Sequence, residues 1–157
     1  MTKVNITESM EGKWRKLHIV LYSIFLFILL FVILVGVLSR FTPLIIAVMF
    51  PAMGVTGALT YEIVQYVRLI KHVEDYEVYE VLLDRPVTSF LNRGNVYFMV
   101  GFKLKCGTTI MRKTKPIWSD FPLSLFQAWE YTNAMVDVAY DENRDRMVVL
   151  GIPGQRW

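Results

Sequence analysis

A run of 20 consecutive residues without a charge, positions 19–38, constrains this chain more than any other feature of its 157 residues. At about 1.5 Å per residue, a helix of that length covers about 30 Å, the thickness of a bilayer's hydrocarbon core. A helix in a soluble protein normally keeps a polar stripe and seldom stays apolar all round for so long. A cleaved leader is the competing reading, but its apolar stretch is about 7–15 residues and ends at a small-residue cleavage site. Here Gly36, Val37, Leu38, Ser39 and Arg40 make a poor cleavage site, so the run reads as a transmembrane anchor.

A second uncharged run of 21 residues follows at positions 41–61, interrupted by Pro43, Pro51, Gly54 and Gly57. Pro43 suits a first helical turn, where its missing N–H costs nothing, whereas Pro51 is expected to kink the helix. Gly54, Gly57 and Ala58 are small enough to admit a neighbouring helix, and the first span is expected to fill that space. A homo-oligomer packed through the same residues is the alternative. So few residues separate the spans that they must form an antiparallel hairpin. Lys3, Lys13, Arg15 and Lys16 precede the first span, Arg68 and Lys71 follow the second, and the turn carries only Arg40. The excess of positive charge predicts a multi-pass cell-membrane protein with both termini cytoplasmic. Glu62, at the edge of the second span, reads as a solvent-reaching carboxylate rather than a catalytic one.

The division expected from these patterns is an N-terminal tail over 1–16, a helical hairpin over 17–72 and a soluble β-domain over 73–157. The tail's first 12 residues look disordered or surface-lying. In the soluble part, residues 76–84 are rich in β-formers. Residues 96–105 alternate, with Val96, Phe98, Val100, Phe102 and Leu104 on one face. Asn92, Arg93, Gly94 and Asn95 mark a turn before that strand, and Cys106–Gly107 a turn after it, into a partner strand over 108–115. Residues 123–131 suggest a short helix, and 135–140 and 146–152 two further strands about a polar turn. That order fits a small, mainly-β, five-stranded barrel of the OB or SH3-like type with one short helix.

A two-helix hairpin followed by a β-domain containing Val136, Asp137, Val138, Ala139, Tyr140 and Asp141, then Met147, Val148, Val149, Leu150 and Gly151, resembles a broad class of bacterial membrane proteins. In that class a V-x-V-x-Y-D strand and a polar turn close an OB-like or SH3-like domain. The layout is also distantly similar to NfeD-type membrane proteins. The resemblance implies a bacterial source and the fold, and it transfers no functional residue.

Chemistry is sparsely signalled. Cys106 is the only cysteine, which excludes an intrachain disulfide and a cysteine-rich zinc site. The only histidines, His18 and His72, flank the apolar spans, so Cys106 has no obvious base in its own domain. Asp141, Asn143 and Asp145 alternate as in a calcium loop, but Arg146 and Ile152 stand where that loop needs glycine and glutamate. No catalytic, cofactor or metal site is expected. The one charge concentration is Lys103, Lys105, Arg112, Lys113 and Lys115 on a predicted hairpin, where several could share a face. A solvated face that protects a hairpin edge is the favoured reading, ahead of contact with anionic membrane lipid, with nucleic acid last. Trp118, Phe121, Phe126 and Trp129 are read as core. The function expected is a non-enzymatic, membrane-anchored accessory or scaffold protein that presents its β-domain to another membrane or cytosolic protein. A small immunity or envelope-stress protection protein, and a transporter or enzyme subunit using Glu62, are the alternatives.

Overall fold

The computed structural model describes residues 5–88, 95–121 and 125–152. The chain forms two compact units, one from Trp14–Arg68 and one from Met1–Lys13 together with Leu69–Trp157.

The first unit is built from helices α1 (Met10–Leu38) and α2 (Thr42–Ile70), each 29 residues and each long and apolar enough to cross a membrane. Only 6% of the most apolar stretch of either helix is buried, which sets them apart from the core helices of a soluble fold. The turn between them is a Schellman motif. The Phe41 N–H donates to the Gly36 carbonyl at 2.9 Å and the Arg40 N–H to the Val37 carbonyl at 3.1 Å. Arg40 occupies the left-handed position of that motif at φ 55°, where glycine is usual. Hydroxyl groups within the apolar runs satisfy themselves locally: Ser23, Thr56 and Thr60 each donate to the carbonyl four residues earlier. Pro51 lies inside α2, so the Ala47 carbonyl lacks the amide donor that any other residue there would supply.

The second unit carries six strands among its described residues: β1 (Glu77–Leu82), β2 (Pro86–Thr88), β3 (Val96–Lys103), β4 (Thr109–Lys113), β5 (Met135–Asp141) and β6 (Arg146–Gly151). They form two three-stranded antiparallel sheets, in the orders β1-β5-β6 and β2-β3-β4. The expected five-stranded barrel is therefore corrected to two sheets that do not close. The additional strand is β2, only three residues long and opened by Pro86. A proline that would stop a central strand is tolerated as the first residue of an edge strand. Short helix α3 (Ile117–Asp120) and a 3-10 segment (Leu125–Tyr131) occupy the connection before β5.

Between the sheets lies a core containing Val81, Leu83, Phe98, Val100, Phe102, Ile117, Phe121, Val136, Val138, Tyr140 and Val149. The alternation of β3 is realised there, since Phe98, Val100, Phe102 and Leu104 are all buried. The expectation for the aromatics holds only in part. Phe121 is fully buried against Phe98 at 5.3 Å, Trp118 is half-buried and Trp129 is 69% exposed. The side chain of Phe126 and the turn residues Asn92–Gly94 lie outside the described residues. A second apolar cluster covers part of the opposite face of the β1-β5-β6 sheet, with Ile6, Leu69 and Tyr76 packed on Ala139 and Val148. Ile6 is 1% exposed, so from Asn5 onward the described N-terminal residues are folded into this unit rather than loose. A single isoleucine among polar residues gives no local sign of that, because the surface it packs on is made by Ala139 and Val148 of strands far along the chain.

Candidate functional site

The five expected cations divide among different partners. Successive residues of a strand point to opposite faces, so Arg112 and Lys113 leave β4 on opposite sides. Arg112 Nε donates to Asp145 Oδ1 at 2.6 Å, and the Tyr140 hydroxyl donates to the same oxygen at 2.7 Å. Those two donors, Tyr140 first, hold the Asp145 carboxyl below its ordinary range. Lys105 Nζ meets Glu77 Oε1 at 2.6 Å, and the Tyr79 hydroxyl donates to Glu77 Oε2 at 2.7 Å. Burial first, and then Glu77, push the Tyr79 hydroxyl up to about 12. Lys113 places its ammonium 3.4 Å from the centroid of the Tyr97 ring, which is buried although it lies on the nominally polar face of β3. Lys115 is ion-paired with Glu11. Lys103 is exposed, and among the described residues neither a carboxylate nor a ring holds it.

Glu11 belongs to a polar cluster that sequence reasoning missed. Ser9 caps α1, its Oγ accepting the Gly12 N–H at 3.1 Å and donating to the Ile6 carbonyl at 2.5 Å. Gly12 is required there, because a Cβ would stand 2.7 Å from the Ile6 carbonyl oxygen. The first turn thus folds back on the chain and delivers Glu11, 2% exposed, to Lys115 and to Arg146 Nη2 at 3.3 Å. Asp120 is buried nearby, its Oδ2 accepting the Lys115 N–H at 2.6 Å while its Oδ1 has no hydrogen-bond partner. Burial drives the Asp120 carboxyl up to about 7, opposed by Lys115 and reinforced by Glu11. The cluster can hold a proton near neutrality, and it fastens residues 5–13 to the β-unit. An acidic residue two places after a serine was its one sequence signal, and a surface helix cap reads the same way.

In the helical unit, Glu62 is 14% exposed rather than solvent-reaching. Arg15 Nη1 donates to its Oε2 at 2.8 Å, and His18 Nδ1 lies 3.5 Å from Oε1. Trp14, His18 and Tyr22 stack along one side of α1 at 5.2 and 5.9 Å. The Arg15 and His18 contacts with Glu62 join the two helices near their polar ends. Gly54 and Gly57 do not serve that purpose, since a Cβ at either would meet nothing within 4 Å. Ala58 is half-buried, and the close approach falls instead at Gly36, where a Cβ would meet Ile45 Cγ1 at 2.9 Å. Cys106 is exposed in the β3–β4 turn, its thiol drawn below its ordinary value by a hydrogen bond with the Thr108 side chain. Neither histidine serves it, because His72 is engaged with Asp75 at 3.6 Å and His18 with Glu62.

Register creates one further feature. On the outer face of the β1-β5-β6 sheet, Glu80 stands directly opposite Asp137, and Leu82 opposite Met135. Opposed like charges destabilise a sheet. Burial, followed by Glu80, raises the Asp137 carboxyl. Around this pair Val78, Leu82 and Met135 are 48%, 51% and 41% exposed. The second apolar cluster covers only the neighbouring part of the face, so Glu80 and these side chains remain open and Asp137 is half-buried. Among the described residues no group of three or more His, Cys, Asp or Glu is arranged to hold a metal ion. No family model, curated protein or solved structure matches the chain.

Proposed function

We propose that the chain is a non-enzymatic, membrane-anchored accessory protein whose β-unit makes protein contacts in a membrane assembly. The observation that carries this reading is the division of labour within the β-unit. Ion pairs such as Lys105–Glu77, Arg112–Asp145 and Arg144–Asp141 are internal to the unit, while Leu82 and Met135 stay exposed on one side of the opposed Glu80 and Asp137, and Val78 on the other. Exposed apolar patches bordered by polar residues are a mark of protein contact surfaces. The two helices are the anchor. The packing of Ile6 with Ala139 and Val148 supports a hairpin whose two flanking segments lie on the same side. The lysine and arginine distribution favours the cytoplasmic side.

Two measurements test the reading. A reporter fused after Trp157 should report from the cytoplasm, and a signal from outside reverses the orientation. Purification of the full chain from native membranes should retain a protein partner, or a second copy, that is lost with Leu82→Asp. Repeated recovery of a monomer alone removes the scaffold reading.

A further inference from the structure

The open face has a counterpart on the same unit. On the outer face of the β2-β3-β4 sheet, Met111 pairs with Gly101 and is 62% exposed. With no side chain at Gly101, Met111 stands out alone. Lys103 pairs with Thr109 at the next outward position in one direction, and Lys113 with Met99 in the other. Lys113 is two residues from the methionine along β4, about 7 Å, and Lys103 is its diagonal neighbour across the strand pair, about 7–8 Å away. On the outer face of the other sheet the spacing repeats with the charge reversed. The Glu80–Asp137 pair is two residues from the Leu82–Met135 pair, again about 7 Å. Among the described residues Lys103 is the one cation of the hairpin with no acidic or aromatic partner, and Glu80 and Asp137 face each other with no ion pair to a cation.

From this match in spacing, apolar character and charge, we infer that the β-unit associates with a second copy of itself, the Glu80–Asp137 face of one chain receiving the Lys103–Met111 face of the next. Met111 seats against Leu82 and Met135, and Lys103 is brought between the two carboxylates, relieving the repulsion built into the pairing of β1 with β5. The inference rests on the reading of the β-unit as a contact module and names its partner. Because the two faces differ, the contact is head-to-tail. It leaves one face unused at each end and grows into a ring or an open row of copies. Copies confined to one bilayer meet at high effective concentration, so a modest interface suffices.

The test uses the full chain in detergent and in lipid nanodiscs, read by sedimentation velocity and amine-independent photocrosslinking. Wild type should form dimers and higher species in a concentration-dependent series that weakens with added salt. Lys103→Glu alone should weaken association by about tenfold or more, the equivalent of about 1.4 kcal/mol, and so should Glu80→Lys combined with Asp137→Lys. Mixing those two variants should restore association, because each then offers the complement of the other. Thermal melts matching wild type confirm that both variants are folded. A wild-type chain that stays monomeric, a series indifferent to both reversals, or a loss that mixing does not rescue overturns the inference. Association that survives both reversals and is lost with Gly54→Leu and Gly57→Leu places the contact in the helices and also overturns it. A monomer that still retains a different protein from native membranes overturns self-association while leaving the contact-module reading intact. A monomer that retains none removes both.

Discussion

Phe27 and Phe50 in the helical unit are 72% and 75% exposed, while Phe98 and Phe121 in the β-unit are fully buried. The same side chain is used in opposite senses within one chain. In the helices the apolar surface faces outward, and the polar chemistry, Arg15 and Glu62 with His18, is drawn inward between them. In the β-unit the apolar surface is internal, and most ion pairs lie at the rim. The difference shows how each unit must be stabilised. One relies on its surroundings to cover its hydrophobic surface, and the other covers its own. Glu11, Asp120 and Asp141 depart from that pattern as buried carboxylates of the β-unit, and Glu11 is held by two cations.

The largest contrast should come from truncating matching aromatics. Phe98→Ala is expected to destabilise the β-unit by about 3–5 kcal/mol in near-UV circular dichroism melts, and Phe27→Ala to leave the same transition in place. Equal effects would mean that the units do not unfold separately. Next comes pH. The Asp120 carboxyl moves from an ordinary 3.8 to about 7 on folding. Between those values the folded chain keeps a proton that the unfolded chain has released. Asp120 therefore makes stability fall as pH rises from about 4 to about 7, by up to about 4 kcal/mol, and adds no slope above. Asp120→Asn should flatten that interval relative to wild type, and parallel profiles would show that Asp120 is not the group responsible. Ile6→Ala should cost about 2–3 kcal/mol in the β-unit transition, the loss of a buried aliphatic side chain. A transition unchanged by that substitution would detach residues 5–13 from the unit. The smallest expected effect lies in the helical turn, where Arg40→Gly relieves a left-handed residue and should stabilise the hairpin by about 1 kcal/mol in detergent unfolding.

Features governed by local periodicity were legible in advance. Uncharged runs located both helices, and the strict alternation from Val96 to Leu104 placed Phe98, Val100 and Phe102 in the core. Turn chemistry located the polar turn at 141–145, where Asp141 Oδ1 accepts the Asn143 and Arg144 N–H groups. What escaped depends on pairing between distant segments. The three-residue strand β2 has too little sequence to show a period and begins with a proline. The apposition of Glu80 and Asp137 exists only once β1 and β5 are in register. Lys105 and Arg112 looked like members of one basic face until Glu77 and Asp145 arrived from other strands. Gly54 and Gly57 fitted the composition of a helix contact, yet the contact formed at Gly36.

The clasp between Glu11 and Arg146 joins positions 135 residues apart. The segment that begins the β-unit therefore leaves the ribosome before both helices, and the strand that completes it leaves after them. During that interval Ile6 has no groove to enter and Glu11 no arginine to meet. The unit cannot mature piecemeal as synthesis proceeds, and its first residues must stay reachable until its last strand is made. Closure of the clasp therefore comes only once the whole of both helices has been made.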